Sequence, residues 1–231
     1  MTITLYELVG ADATRPFSPH CWKIRMALAH KGLDFATVPV PFTQVPKVED
    51  GFAGIVPVIR DGDHRVADSF AIAVYLDATY PDRPTLFGGE GGKVLSRFVE
   101  SWTQRTVHPF ISTSRALMAI HDGLDTPDRV YFRESREKVF GKRLEEVIVG
   151  DEERLAEFGK KLTPLRAILE KQTLIGGEAP LFADYIVFGA FQWLRVVTPW
   201  QVLADDDPVS VWFERCLDLH GSEGRKVSRA A

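Results

Sequence analysis

The sequence lacks the features that mark several classes of protein. It has only two cysteines, Cys21 and Cys216, among 231 residues, too few for a disulfide framework, and no cluster has the spacing of zinc ligands. No apolar run is long enough to span a bilayer. Basic residues are not in excess, because 28 Lys and Arg face 32 Asp and Glu. We therefore expect no metal, no membrane and no nucleic-acid partner.

The N-terminal sequence, MTITLYELVG, has no basic region followed by an apolar signal core. Two scarce thiols fit a reducing compartment, so we expect a cytoplasmic location. What is present is ordinary for a globular chain, with 45% hydrophobic and 26% charged residues. This composition can bury a real core, in one large domain or two small ones.

The first part of the chain has the pattern of a small α/β layer. Residues 3–9 read as a buried strand, and a helix is expected from Ser18 to His30. Residues 34–42 read as a second strand, at a sheet edge because two prolines interrupt it. Three further elements are predicted: a loop over 43–54, a hairpin of strands 56–60 and 65–66, and a helix over 69–79.

The rest of the chain is predicted to be helical. Residues 83–92 hold four glycines and are read as a linker, which divides the chain into domains 1–87 and 88–231. Residues 127–148 form one charged amphipathic segment. Residues 182–198 are apolar on most sides, so this helix is expected at the centre of its domain. The last eight residues are read as a frayed tail.

Ser18 and Pro19 form the first pattern along the chain that indicates a candidate catalytic site. Serine suits the N-cap of a helix and proline its first position, so a purely structural role is one interpretation. A capping serine, however, keeps its O–H free to donate. A thiolate at this helix end would meet that hydroxyl and the positive end of the helix dipole. Lowering a thiol pKa by about two units needs about 2.7 kcal/mol, which the dipole and a charged hydrogen bond can supply together.

Two dipeptides further along point to a peptide-like ligand. A proline at Val56-Pro57 suggests a sheet edge or a cis bond, which would leave the Val56 backbone free to pair with a ligand; a plain turn is the alternative. Ser69 is a natural N-cap, and that helix end would take a carboxylate. Asp68 would pair with an adjacent ammonium group. Together they would recognise a free α-amino acid end.

The order and spacing of these features resemble the N-terminal domain of the glutathione transferases. The segment from Ser18 to Leu28 is similar to the serine-type families, and VPVI, DS and IAVYLD are similar to their glutathione-binding core. Further segments resemble bacterial β-etherases and the related fungal etherase-like transferases: YPDRPTLF, RLEEVIVGDEERL, LIGGEAPLFADY and DDDPVSVWFERCLDLHG. The resemblance implies an α/β thioredoxin-like domain followed by an all-α domain, a homodimer, and glutathione as cofactor.

The resemblance also implies how the residues act. Ser18 would be catalytic and would hold the glutathione thiolate for attack on a hydrophobic, aromatic electrophile such as an aryl ether or halide, in detoxification or aromatic metabolism. Glutathione would be bound by Val56, Pro57, Asp68 and Ser69, with Gln44 and Lys47 near its glycyl carboxylate. The aromatic substrate would lie between the domains, where the candidates are Trp102, His108, Phe110, Met118, Trp193 and Trp200.

Two alternatives to a transferase remain. The same fold could hold glutathione and an aromatic ligand without turnover, or act as a glutathione-dependent isomerase, because Ser18 to Trp22 also resembles maleylacetoacetate isomerases. The chain departs from the family pattern at Leu181, where a helix-capping Ser or Thr is usual three residues before Asp184. Cys21 falls on the second position of a Cys-x-x-Cys motif whose first position is Ser18, and we expect a buried structural thiol.

Overall fold

The computed structural model describes residues 2–148 and 150–231. The first third forms a four-stranded sheet with the strand order β2-β1-β3-β4. Strand β1 pairs in parallel with β2 and antiparallel with β3, and β3 and β4 form the predicted hairpin. The elements in this part are β1 (Ile3–Leu8), α1 (Pro19–His30), β2 (Phe35–Val40), a 3-10 helix (Phe42–Gly51), β3 (Val58–Asp61), β4 (His64–Ala67) and α2 (Ser69–Thr79).

The β2 strand lies at an edge of the sheet, as its prolines predicted. The prediction of a loop over residues 43–54 was wrong, because a 3-10 helix covers most of it. The carboxylate of Asp128 accepts hydrogen bonds from the backbone N–H groups of Phe42 (2.6 Å) and Thr43 (2.8 Å) at the start of that helix. A partner so far along the chain cannot be read from the local sequence.

The rest of the described chain is helical. Its helices are α3 (Glu90–Ser112), α4 (Ala116–Asp122), α5 (Thr126–Phe140), α6 (Leu144–Val147), α7 (Asp151–Lys161), α8 (Thr163–Leu169), α9 (Phe182–Val197), α10 (Pro208–Leu217) and α11 (Leu219–Ser222), followed by a 3-10 turn (Glu223–Lys226). The single segment predicted over 127–148 is two helices. Gly141 ends the first of them in a left-handed conformation, with a φ of 67° that glycine adopts without strain.

Helix α9 is the buried centre of the helical part, as its sequence predicted. It packs against both α1 and α3. At Gly189 the approach is so close that a Cβ atom would lie 2.3 Å from the Pro19 carbonyl oxygen. The start of α1 is therefore held directly by a helix of the second part.

Asp184 fixes the beginning of α9. Its carboxylate is fully buried and accepts hydrogen bonds from the backbone N–H groups of Ile175 (2.7 Å) and Leu181 (3.0 Å) and from the Trp212 indole (3.0 Å). The aspartate half of a capping box is thus made, whereas Leu181 has no side-chain acceptor to complete the other half. The Asp184 N–H, from which a capping side chain would accept a hydrogen bond, donates instead to the Leu181 carbonyl oxygen (2.9 Å).

The last residues are anchored, so the prediction of a frayed tail was wrong. Val227 is buried, and the Ala230 N–H donates to the Arg195 carbonyl (3.0 Å). Glu223 lies just before this segment and accepts from Arg25 (2.7 Å), which also donates to Glu7 (2.8 Å). Glu223 therefore completes an ion-pair chain between the two parts of the molecule, directly before the anchored tail.

One apolar face of the helical part is left on the surface of the chain. Val94, Leu95 and Phe98 on α3 are 60%, 66% and 70% exposed. Trp102, one turn further along the same helix, is half-buried. Within residues 2–148 and 150–231, no helix is long and apolar enough to cross a membrane.

Candidate active site

A cavity of about 390 Å³ lies between the sheet-containing part and the helical part. Ser18 and Val56 reach it from the first part, together with residues of the 3-10 helix. The second part contributes side chains from α3, α4, α5 and α9. These are His108, Ser112, Leu117, Ile120, Tyr131, Phe132, Arg136 and Trp193.

Ser18 is the N-cap of α1, as predicted. Its Oγ accepts a hydrogen bond from the Cys21 backbone N–H (3.3 Å), and the side chain is 5% exposed. The hydroxyl also interacts with the Cys21 thiol, whose pKa it acts to lower against the larger effect of burial. A thiol is a weak acceptor, so the O–H can turn to a thiolate at the helix N-terminus.

Cys21 is buried, as expected, and has no access to the cavity. Burial raises the pKa of its thiol to about 12. Its Sγ points to the Tyr6 carbonyl oxygen at 3.9 Å. At neutral pH this group is a protonated thiol that does not act as a nucleophile.

The Val56-Pro57 peptide bond is cis, one of the two forms that the sequence suggested. Val56 lines the cavity, whereas Pro57 is buried and does not line it. The cavity also touches Gly54 and Ile55, so the three residues before Pro57 form part of its wall.

The prediction that Ser69 caps α2 was wrong, because Asp68 is the N-cap. Asp68 Oδ1 accepts hydrogen bonds from the backbone N–H groups of Phe70 (3.1 Å) and Ala71 (2.9 Å). Its carboxylate reaches two donors, and Asp tolerates the observed φ of 71° better than most residues. Ser69 is the first residue of the helix and is buried. Neither residue lines the Ser18 cavity. Asp68 is exposed, and both of its capping hydrogen bonds go to Oδ1.

Gln44 and Lys47 are exposed residues of the 3-10 helix. The side chains that this helix turns into the cavity are instead Phe42, Val45 and Pro46. That Gln44 and Lys47 contact glutathione therefore stays a prediction, and they would do so from outside the cavity lining.

Two of the six aromatic-site candidates, His108 and Trp193, line the cavity. The other four do not. Phe110 stacks on Phe158 with ring centroids 4.0 Å apart, and Met118 packs against the core. Trp102 lines a separate cavity of about 200 Å³, and Trp200 lines another of about 450 Å³ within the helical part.

The sequence interpretation missed the wall that α5 provides. Phe132 packs against Phe42 (centroids 5.5 Å apart), and Tyr131 lies beside the same ring (6.3 Å). The sequence does contain a pattern that could have predicted this wall. Asp128, Phe132 and Arg136 are spaced four residues apart and so share one face of a helix. The charged residues around them made this segment look like a solvent-exposed helix.

The histidines of the cavity are neutral near pH 7. Burial lowers the pKa of His108 to about 4, and burial also holds the pKa of His20 well below its ordinary value. The nearby Lys23 ammonium contributes to both shifts; it lies 3.1 Å from His20 Nδ1 and pairs with Glu100 at 3.0 Å. His20, a minor suggestion of the sequence, does line the cavity.

Two buried nitrogens beside the cavity lack partners. His108 Nε2 and Trp193 Nε1 make no hydrogen bond within the described residues, and the two rings lie 5.8 Å apart. The cavity lining includes no aspartate or glutamate. Across the described ranges, no group of three His, Cys, Asp or Glu residues is placed to share a metal ion.

Two sequence models of one family match the chain. "Glutathione S-transferase, N-terminal domain" matches residues 17–79, and "Glutathione S-transferase, C-terminal domain" matches residues 94–219. The second match alone covers more than half of the sequence, and the chain therefore belongs to the glutathione S-transferase family, a family of transferases. The predicted fold class, a thioredoxin-like domain followed by a helical domain, is confirmed.

The similarity to curated and solved proteins is uneven along the chain. Glutathione S-transferase Z1 of Arabidopsis thaliana is 42% identical over 69 residues, which is 28% of this chain and 31% of that protein. Glutathione transferase GSTFuA3 from Phanerochaete chrysosporium superposes with a TM-score of 0.75 at 28% identity, over 96% of this chain and 93% of that one. Glutathione S-transferase CsGST63524 of Ceriporiopsis subvermispora, solved in complex with glutathione, gives 0.74 at 24% identity, over 96% and 98%.

Proposed function

We propose that this protein is a glutathione transferase in which Ser18 stabilises the glutathione thiolate for attack on a hydrophobic, aromatic electrophile. The observation that carries the proposal is the position of Ser18. Its hydroxyl sits at a helix N-terminus and in the wall of a cavity that both parts of the molecule line. The structure of a fungal relative with bound glutathione supports the choice of thiol.

Glutathione is proposed to lie across the N-terminal domain. The carboxylate of the exposed Asp68 suits its ammonium group, and the hydroxyl of Ser69 with the start of α2 suits the adjacent carboxylate. The cysteinyl backbone is proposed to pair with Val56, beside Pro57. Gln44 and Lys47 are proposed to meet the glycyl carboxylate from the exposed side of the 3-10 helix.

In the proposed reaction, the thiol proton leaves when the thiolate forms at Ser18. The sulfur then attacks the electrophilic carbon, the carbon–sulfur bond forms, and the leaving group departs with its electron pair as an aryloxide or halide anion. The hydrogen bond from Ser18 is worth about 1.5–3 kcal/mol to a charged acceptor, and the dipole of α1 adds about 0.3–1 kcal/mol. Their sum of about 1.8–4 kcal/mol spans the value of about 2.7 kcal/mol that lowers a thiol pKa by about two units.

We also propose a serine-type, etherase-like lineage and a homodimer in which the exposed face of Val94, Leu95 and Phe98 is covered by a second copy. An exposed apolar face of this kind is typical of an interface. Light scattering of the purified chain gives its mass in solution and so tests whether it is a homodimer. A cytoplasmic location and a role in the metabolism or detoxification of aromatic compounds stay predictions.

Calorimetric titration of the purified chain with reduced glutathione tests the proposal first. We expect saturable binding at one molecule per chain, weakened by Asp68→Ala but not by Asp63→Ala in the exposed hairpin turn. Absence of binding at millimolar glutathione would contradict the transferase. Binding of aromatic ligands without consumption of glutathione would instead favour a non-catalytic binder, and turnover with glutathione regenerated would favour an isomerase.

The role of Ser18 has its own test. We expect Ser18→Ala to raise the pKa of bound glutathione by about one unit or more, because a hydrogen bond to the thiolate is lost. The ultraviolet absorbance of the thiolate, followed against pH, measures this shift. Ser112→Ala is the matched control, since Ser112 lines the same cavity but does not begin a helix. An unchanged titration in Ser18→Ala would show that backbone groups alone hold the thiolate.

A further inference from the structure

Arg136 is a cation in the cavity wall that has no anionic partner. It lies on α5 and is half-buried, with Nη1 3.4 Å from Ser135 Oγ and the guanidinium carbon 5.1 Å from the centroid of the Phe132 ring. No carboxylate of the described residues lies within salt-bridge distance of it. Burial lowers its pKa, and a guanidinium remains charged at neutral pH all the same.

The other two arginines of α5 differ from Arg136 in their partners and in their position relative to the cavity. Arg133 pairs with Glu137 (2.9 Å) and Glu145 (2.8 Å), and Arg129 donates to the carbonyl oxygen of Leu124 (2.7 Å). Neither of these two lines the cavity. Arg136 is thus the arginine of this helix that faces the cavity, and in the described part of the chain it has neither the carboxylate partners of Arg133 nor the carbonyl partner of Arg129.

The surroundings of Arg136 favour an aromatic anion. The rings of Phe42, Tyr131 and Phe132 form an apolar wall next to the guanidinium, and the lining contains no acidic side chain. The two cavity histidines are neutral and do not compete for an anion. Keeping a partly desolvated cation unpaired costs free energy that a bound carboxylate or phenolate recovers.

We propose that the second substrate of this protein is an aromatic acid, whose anionic group pairs with Arg136 while its ring packs against Phe42 and Phe132. This inference rests on the proposed function in that it takes the Ser18 cavity as the substrate site. A carboxylate of glutathione could also pair with the guanidinium of Arg136. The aromatic wall beside Arg136 favours the aromatic acid over glutathione as the bound anion.

The test uses two probes that share both rings and differ in charge, 4-phenoxybenzoate and 4-phenoxybenzamide. Their dissociation constants are measured by calorimetry on the full chain without glutathione. We expect the wild-type chain to bind the acid at least about tenfold more tightly than the amide. In Arg136→Met, which keeps the apolar stem, we expect the two constants to agree within about twofold. Arg136→Lys should retain part of the preference, since it keeps the charge but loses the planar fork.

Lys138→Met is the matched control, because Lys138 is an exposed cation on the same helix and does not line the cavity. It should leave the preference unchanged. Thermal unfolding of each variant checks that the fold is intact, and Arg136→Gln replaces Arg136→Met if the latter does not fold.

Three results would overturn the inference: no binding of either probe by the wild-type chain, equal binding of both, or a preference that survives in Arg136→Met. A fourth is a loss of glutathione affinity in Arg136→Met with the probe ratio unchanged, which would assign the anion to glutathione. If the wild-type chain does not bind glutathione, the proposed function is wrong. The comparison of the two probes is measured without glutathione, so its result does not depend on that failure.

Discussion

The two sides of the cavity are built in different ways. The side in the first part uses the ends of secondary-structure elements: Ser18 begins α1, and Val56 precedes β3. The side in the helical part uses the middles of helices, with His108 on α3, Phe132 on α5 and Trp193 on α9. The first side therefore adds a cap and backbone groups to the side chains of its 3-10 helix, whereas the second offers side chains such as His108, Phe132 and Trp193.

Because of this difference, the two sides of the cavity tolerate substitution to different degrees. A cap or a helix start depends on the local chain, and few substitutions preserve it. A wall of side chains can change its chemistry while the helices behind it stay in place. We infer that the first side sets the proposed thiol chemistry of this chain and the second sets the choice of electrophile, and three changes test how far the two sides are separable.

The largest effect is expected at Asp128, which joins the two sides. Asp128→Ala removes the acceptors of the Phe42 and Thr43 backbone N–H groups, so two donors are left unpaired. We expect a loss of about 3 kcal/mol in the free energy of unfolding, measured in urea. Amide hydrogen exchange at Phe42 and Thr43 should accelerate. Asp122→Ala, at an exposed aspartate just before α5, is the control; equal effects of the two changes would contradict the role given to Asp128.

A smaller effect is expected from Gly189→Ala, a change wholly within the helical part. The added Cβ meets the Pro19 carbonyl oxygen, so α9 or the start of α1 must shift. We expect a loss of about 2 kcal/mol in stability and weaker binding of glutathione. Gly159→Ala is the control, because nothing lies within 4 Å of a Cβ there, and it should gain up to about 1 kcal/mol. Wild-type glutathione binding in Gly189→Ala would show that the sides are independent.

The smallest effect is expected at Glu7, in the ion-pair chain that links the parts. Burial, opposed by Arg25, raises its pKa to about 7 from an ordinary value of 4.5. Between these values the folded state holds a proton that the unfolded state has lost, so stability falls as the pH rises through this window and stays lower above it. Glu7→Gln should reduce the difference in unfolding free energy between about pH 5 and about pH 8 by on the order of 1 kcal/mol. Parallel pH curves for the two chains would contradict this.

Local signals in the sequence were enough for the elements that depend on neighbouring residues. The α1 start at Ser18, the hairpin around Asp61 and the apolar helix α9 each follow from short patterns, and the structure has all three. The cap of α2 was misplaced by one residue, because serine and aspartate are both good caps and only the backbone angles decide between them.

Features that depend on distant partners could not be found in this way. The 3-10 helix at Phe42 is held by Asp128, and the tail is held by Arg195, each far away in sequence. The aromatic wall was missed for the same reason, since Phe132 looks like one apolar residue on a charged helix until Phe42 is placed against it. Trp102 and Phe110 were predicted to line the substrate site, but neither lines the Ser18 cavity. In the sequence, a large apolar residue of a core looks the same as one that lines a cavity.

The contact between Gly189 and Pro19 also limits how this chain can be recombined with its relatives. A chimera joined between α2 and α3 would take its α1 from one parent and its α9 from the other. The carbonyl oxygen of Pro19 leaves no space for a β-carbon on the helix that faces it. Exchange of halves will therefore keep Ser18 in place only when the donor of the helical half carries glycine at that position, so these two sites must be inherited together.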